Sequence, residues 1–481
     1  MIDTLSLKTS IYDLATSGQL STGYTSTDAV DEILKNIPSP SAKRKKLLTK
    51  DYQYGQKHTI PSSWRWVRLG EISSYGDTPE KTDADRCADD VWLLDLEDIE
   101  AGGKLLHKTR VLEKRSKGEK TIFTEGQILY SKLRPYLKKV LIADEDGIST
   151  PELISFDVFG GIDARYIVFC LLNTFTNKAI DARSYGIKMP RVDAGFMVNL
   201  PIPLPPISEQ KYIADKVESV LSEIDSLADA QTRYTSDTTA LKSKVIDAGI
   251  QGRLTEQLPE DGTAQELFEQ IQKEKTCLVK EGKIKKQKPL PPIKPEEIPF
   301  EIPENWMWVR LGDLYTLTNG VASRGTKGGC PHPVLRLADL TDEGISTSNI
   351  RSIDLSNTEY ESHRVNKNDL IIIRVNGSKD KVGSIYYYSK EQEISYCDHL
   401  FCAHRVSNNI EPKYVLLASQ TEIAKKQISP LIKTTAGQNT ISQGNIGKMI
   451  IPLPPLAEQR RIAERIEEIL SVFQKHKSKE R

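Results

Sequence analysis

The sequence predicts an α+β protein. Two mixed α/β domains of one type are joined and spaced by long coiled-coil helices, in a pseudo-two-fold, circularly permuted repeat. Three observations predict it. Pro201-Ile202-Pro203-Leu204-Pro205-Pro206-Ile207-Ser208-Glu209-Gln210 opens a long amphipathic run, and Ile451-Pro452-Leu453-Pro454-Pro455-Leu456-Ala457-Glu458-Gln459 opens a second one. Ile60-Pro61-Ser62-Ser63-Trp64-Arg65-Trp66-Val67-Arg68-Leu69-Gly70 returns as Ile302-Pro303-Glu304-Asn305-Trp306-Met307-Trp308-Val309-Arg310-Leu311-Gly312, a shift of 242. The chain also starts almost where the repeat, followed to its last residue, leaves off.

The 481 residues suffice for several domains, and 38% hydrophobic content permits globular cores. Lys+Arg and Asp+Glu both number 66, so no basic excess marks a protein that coats nucleic acid unaided; local basic surfaces remain open. Six irregularly spaced cysteines do not form a disulfide framework. The start, Met1-Ile2-Asp3-Thr4-Leu5-Ser6-Leu7-Lys8, lacks the basic and apolar regions of a signal peptide, and no run approaches 18 apolar residues. A cytoplasmic protein without membrane contact is expected.

In order, residues 1–60 are expected to be an N-terminal helical segment that completes the second repeat. Leu7, Ile11 and Leu14 follow helical spacing, Gly18 interrupts, and 28–37 can form a second helix. Residues 38–60, with Lys43-Arg44-Lys45-Lys46, read as an exposed, solvated connector. Residues 61–200 form the first domain. Its tryptophan motif has the alternation of a strand with one buried face, and reads as a packing motif rather than a base-stacking platform. Four of the five tryptophans lie in the two copies. Gln127–Tyr130 is a predicted strand and Tyr166–Lys178 a predicted helix. The second domain, 301–450, matches these with Leu370–Ile373 and Pro412–Gln427.

Residues 201–300 hold the central helix and a linker. Ile213, Val217, Val220, Ile224, Leu227, Tyr234, Leu241, Val245 and Ala248 alternate at spacings of four and three, with Gln231 and Thr238 at weak positions. That is a heptad seam. The prolines before it suit a rigid connector better than an SH3-type ligand, and Ser208 lies where a cap would lie. Residues 451–481 repeat the device: Ile462, Ile466, Ile469 and Phe473 match at a shift of 249, and Arg481 corresponds to Thr232. Residues 7–20 align without a gap with 241–254, at a shift of 234 that places Met1 at Thr235. Residues 1–20 are therefore expected beside 456–481 and the central helix.

Chemistry is mostly absent. There is no Gly-x4-Gly-Lys-Ser/Thr loop, no Gly-x-Gly-x-x-Gly, no Asn-Pro-Pro-Tyr-like run, no His-Glu-x-x-His and no Asp…Glu-x-Lys cluster. Catalysis by this chain alone is not expected. Cys397, Asp398, His399, Cys402 and His404, with Cys330 and His332 upstream, have the residue types of a zinc site. They contain no Cys-x2-Cys pair and read as a strand with buried small residues; no metal is expected.

The candidate DNA contacts are Tyr130, Ser131, Lys132, Arg134, Tyr136, Lys138, Lys188 and Arg191 in the first domain. In the second they are Arg374, Asn376, Ser378, Lys379, Thr435, Gln438 and Asn439. Arg and Lys pair with guanine edges, Asn and Gln with adenine, and hydroxyls position phosphates. Each segment alone could be a solvated loop; their recurrence at matching places in two divergent domains favours function.

With these motifs in hand, the chain resembles the specificity (S) subunit of a type I restriction-modification system over nearly its whole length. The doubled Pro-Leu-Pro-Pro helix start and the doubled Trp-x-Trp-Val-Arg-Leu-Gly carry the resemblance, with Leu7-Lys8 and Leu241-Lys242 opening the matched helix. Tyr130–Tyr136, Lys188–Arg191 and Arg374–Ser378 are similar to that family's target-recognition domains. The resemblance implies a non-catalytic subunit with two such domains, each reading half of a split double-stranded DNA site. Antiparallel helices would set the spacing and dock two methyltransferase (M) subunits. Glu209, Gln210, Ile213, Val217, Val220, Ile224, Leu227, Leu241, Val245, Glu458, Gln459, Ile462, Ile466, Ile469, Leu7 and Ile11 are the expected spacer and docking residues. Restriction (R) subunits would join. No cofactor is expected on this chain, with S-adenosylmethionine, ATP and Mg in the partners, and adenine as the modified base. The alternatives are a fused methyltransferase or nuclease with its own catalytic site, which the missing motifs oppose, and a coiled-coil protein-binding scaffold, which the paired loops oppose.

Overall fold

A computed structural model describes residues 2–26, 28–54, 58–114, 116–186, 188–322, 325 and 328–478. The chain divides into two compact units, Met1–Arg233 and Tyr234–Arg481.

In the first unit, Arg65–Arg68 pairs antiparallel with Pro201–Leu204, Trp66 facing Pro203. A two-stranded ladder tolerates prolines because their missing N–H groups can face away from the partner. Trp64 and Val67 lie in the main core, where the Tyr166 hydroxyl donates to the Pro203 carbonyl at 2.7 Å. Two sheets follow. One is five-stranded, in the order Lys81–Asp83, Glu119–Phe123, Gly147–Ser149, Trp92–Leu94, Thr109–Arg110; the other is Val140–Ile142, Ile128–Ser131, Leu153–Phe156.

The second unit repeats the plan. Met307–Arg310 pairs with Ile450–Leu453, Trp308 faces Pro452, and the Tyr414 hydroxyl donates to the Pro452 carbonyl at 3.0 Å. Its main sheet runs Tyr315–Asn319, Leu400–Arg405, Leu370–Ile373, Ile385–Tyr387. A helix predicted as one over 166–178 is two, Ala164–Leu172 and Thr174–Arg183, because the Asn173 side chain accepts from Thr176 N–H and restarts the helix. Thr421 does the same between Pro412–Gln420 and Glu422–Ile428.

The central helix runs unbroken from Ile207 to Ile250, 44 residues, about 66 Å at 1.5 Å per residue. Within the first unit its opening half receives the N-terminal helix Thr4–Thr16: Lys8 pairs with Asp225, and Gln231 Oε1 accepts from Ile2 N–H at 2.8 Å. Within the second unit its closing half receives the C-terminal helix Leu456–Ser478, where Gly249 lies against Ile462 and Ile466. Each unit thus owns one helix start and one helix end of the permuted repeat.

Ile213, Val217 and Ile224 are buried in the first half of the seam, and Val220 and Leu227 are half-buried. In the second half the burial moves one residue on, from the expected Leu241 and Val245 to Ile246, Gly249 and Ile250. A 3.6-residue turn drifts about 20° per heptad against a 3.5-residue pattern, enough over five heptads to move the seam by one position. Leu7, the counterpart of Leu241, is exposed in the same way, while Ala15 and Thr16 are buried.

Two local expectations are corrected. Lys43, Lys45 and Lys46 are exposed as expected, but Ala42–Leu48 is helical and Arg44 is buried, 2.7 Å from Asp77 and over the Phe159 ring. Ser208 is not the helix cap. It lies in the first turn, where its N–H donates to Asp28 at 3.1 Å and its hydroxyl also binds that carboxylate.

Candidate nucleic-acid interface

The loops after the two equivalent strands, Ile128–Ser131 and Leu370–Ile373, form the candidate interface. In the first unit the stretch after Ser131 is built onto the 184–191 segment. Leu133 bridges Arg191, Tyr185 bridges Arg191, and Arg134 N–H donates to the Pro190 carbonyl at 2.7 Å. Arg191 then donates to Glu152 at 2.8 and 3.2 Å. That hydrogen bond lowers the Glu152 carboxyl below its ordinary range, against burial, with Lys132 adding its charge from 4.0 Å. The outcome is a double loop tied together by backbone and side-chain hydrogen bonds. Arg134, Tyr136 and Lys188 are exposed on it, with Lys138 half-buried.

The second unit makes the same arrangement with more regular structure. Val375–Asn376 pairs with Gln438–Thr440, which pairs with Lys433–Thr435, so Val375 faces Thr440 where Leu133 faces Arg191. Lys132 N–H donates to the Glu152 carbonyl; Arg374 N–H donates to that of His399. Ala436 and Gly437, both at positive φ, turn the hairpin and leave Thr435 and Gln438 exposed at its tip. Ser378 and Lys379 are exposed beside them, and Asn376 Oδ1 accepts from Ser378 N–H at 2.9 Å.

The sequence therefore located both loop pairs, but five of the candidate residues serve the fold. Tyr130 and Ser131 are 2% exposed, because Ile128–Ser131 is a strand buried on both faces. Asn439 is buried, donating its amide to the Gly377 carbonyl at 2.8 Å and accepting from Thr434. Arg191 is held by Glu152. Arg374 donates to the Asp398 carbonyl at 3.0 Å and lies over Phe401. Tyr130, Ser131 and Asn439 are thus buried in the conformation observed, while Arg191 and Arg374 are half-buried and each held by a partner beside the loop. Conversely, Tyr185 and Met189, which are not among the candidate contacts, are 59% and 52% exposed on the same loop pair. Large apolar side chains next to Gly186 and Pro190 in the sequence were the available signal.

The cysteine–histidine group divides. Asp369, Cys402 and His404 converge, with His404 Nδ1 2.7 Å from Asp369 and Nε2 3.1 Å from the Thr318 hydroxyl. Both ring nitrogens are thereby engaged, and burial pushes the Cys402 thiol well up. The equivalent place in the first unit holds Gln127 donating to Asp157 at 2.9 Å, a cross-strand polar pair of the same kind. Cys397, Asp398 and His399 are sequence neighbours, and His332 stacks on Tyr360.

The helix starts are also duplicated. Gln210 Oε1 accepts from Asp163 N–H at 3.0 Å and Gln459 Oε1 from Glu411 N–H at 3.0 Å. Their side-chain amides donate to the Pro205 and Pro454 carbonyls. Glu209 accepts from Ser21, and Glu458 from Thr255 and Trp306, all within their own units. Paired-loop domains joined to proline-led helices define a class of two-domain protein built by internal duplication.

Comparison with known proteins identifies the class. Residues 61–232 and 303–480 match the family described as type I restriction modification DNA specificity domain, and the chain belongs to it. It is similar to the type I restriction enzyme EcoEI specificity subunit of Escherichia coli, 26% identical, covering 98% of this chain and 90% of that one. The EcoAI specificity subunit of Escherichia coli is 25% identical over the same shares. A solved chain described as "Structural basis underlying complex assembly and conformational transition of the type I R-M system" shares the fold at a TM-score of 0.59 and 20% identity, covering 88% of this chain and 95% of that one. The chain is thus a DNA specificity subunit, the non-catalytic kind of subunit in such a system. Among the described residues, no helix is long and apolar enough to cross a membrane.

Proposed function

We propose that each unit reads one half of a bipartite double-stranded DNA site through its paired loops, and that the chain confers this specificity on methyltransferase and restriction subunits. The observation that carries the reading is the recurrence of one loop pair, Leu133/Arg191 and Val375/Thr440, in units whose loops share little sequence. Arg134, Lys132, Lys138 and Lys188 supply cations for phosphates or guanine in the first. Lys379, Ser378, Asn376, Thr435 and Gln438 supply the cation, amides and hydroxyls of the second. Two methyltransferase subunits dock on the helices, one per repeat, at surfaces that include the exposed Leu7 and Leu241. S-adenosylmethionine, ATP and Mg belong to those partners. The central helix acts as the spacer: about 66 Å of helix exceeds one DNA turn, about 34–36 Å.

The test is co-expression with the methyltransferase subunits of the same system, followed by genome-wide mapping of methylated adenines. Arg134→Ala should relax one half-site and Gln438→Ala the other. Because Arg374 is anchored to Asp398, Arg374→Ala should weaken the second half-site by loosening its loop. Uniform loss across all sequences in every variant would assign these loops to phosphate contact alone.

A further inference from the structure

The two loop pairs differ in chemistry. In the second unit the turn is Thr435-Ala436-Gly437-Gln438, small and polar. In the first, that place presents Met189 to solvent at 52% exposure, with Tyr185 beside Arg191 at 59% and Tyr136 on the loop after Ser131 at 52%. They are fixed by the ladder around Arg191 and by the Arg134–Pro190 hydrogen bond. Exposed apolar groups so placed are in water in the free protein and lose it only on a ligand. Arg134 and Lys138 flank Tyr136 along the chain and Lys188 adjoins Met189; all three cations are exposed or half-buried, and none forms an ion pair among the described residues. Glu152, the nearby carboxylate, is already neutralised by Arg191. Free cations interleaved with exposed apolar side chains fit a polyanion with apolar points on it. Duplex DNA has one such point on its base edges in the major groove, the thymine C5-methyl group.

Resting on the half-site reading above, we propose that the first unit recognises A·T pairs in its half-site through apolar contact of Tyr136, Tyr185 and Met189 with thymine methyl groups. The flanking cations hold the backbone. The second unit has no such side chains on its turn and reads its half-site by hydrogen bonding.

The test uses the purified complex of the chain with its methyltransferase subunits, on duplexes carrying the mapped site. Each thymine in each half-site is replaced in turn by deoxyuridine, which lacks only the methyl group. In the half-site that Arg134→Ala disturbs, at least one replacement should weaken binding about fourfold, the value of one methyl-sized group withdrawn from water. The Tyr136→Ser, Tyr185→Ser, Met189→Gln triple variant should bind thymine and uracil duplexes alike at that position. In the other half-site, any uracil effect should be the same in wild type and triple variant. The inference is overturned by a first half-site without A·T pairs, by equal binding of both duplexes by wild type, or by discrimination that survives in the triple variant. A duplex with that half-site scrambled, bound as tightly as the mapped site, would overturn the half-site reading itself. Thermal denaturation of the triple variant should match wild type, since all three side chains are more than half exposed.

Discussion

Arg134 and Lys138 stand in the left-handed backbone region at φ 49° and 52°, two of four non-glycine residues that do so among the described residues. The conformation costs an L-residue about 1–2 kcal/mol, so the sequence keeps these side chains against local preference. Arg134→Gly removes that strain but adds about 0.4–1 kcal/mol of unfolded-chain freedom. Its stability in urea should therefore stay within about 1 kcal/mol of wild type, while one half-site is lost. Asn439 and Gln438 make the opposite pair. Asn439→Ala removes the hydrogen bonds to the Gly377 carbonyl and from Thr434 and should destabilise by about 0.5–1.5 kcal/mol. Gln438→Ala should change stability by less than about 0.5 kcal/mol and alter recognition instead. Sequence reading could not separate the two, because a buried amide and an exposed one look alike until the hairpin's pairing is known. The same holds for Tyr130: the run from Ile128 to Ser131 has no alternation to show which side chains leave the core. Arg44 was misplaced because its partner, Asp77, is distant in sequence.

The elements were far more legible, since repeats expose their geometry twice. Gly18 and Gly252 align in sequence, and both hold positive φ, 80° and 72°. A Cβ would fall 2.5 Å from Pro61 Cγ at Gly18 and 2.4 Å from Pro303 Cγ at Gly252. Each glycine ends a helix and lets the chain pass under a tryptophan, Trp64 or Trp306. Gly18→Ala and Gly252→Ala should therefore cost similar amounts, at least about 1–2 kcal/mol each, by calorimetry. Helix breaks at Asn173 and Thr421 were missed because apolar periodicity continues through them. The central helix begins under Asp28 rather than Ser208. Burial would raise the Asp28 carboxyl, but hydrogen bonds from Ser208 and Ser26 outweigh it and hold the value at about 2. A lowered folded value means the contribution is present above the ordinary carboxylate range and is lost as pH falls from about 4 toward 2. Asp28→Ala should be less stable than wild type by about 1 kcal/mol at neutral pH. That difference should close on acidification through this window; a difference constant down to pH 2 would remove Asp28 from the role.

At the scale of the whole molecule, a circularly permuted duplication gives two copies of a reader on one chain. The Ile207–Ile250 helix is the covalent element that passes from residues of one unit to residues of the other. Deleting one heptad within 227–241 shortens that helix by about 10 Å. The mapped motif should then keep both half-sites and change only the length of the unspecified spacer; an unchanged spacer would remove the helix from that role. The central claim, one half-site per loop pair, is tested most directly by mapping methylated adenines in cells that carry wild type, Arg134→Ala or Gln438→Ala with the methyltransferase subunits. The expected result is a two-part wild-type motif in which each substitution degrades one part, not the same part, and leaves the other intact. A single contiguous motif, or two variants that lose the same positions, would contradict it.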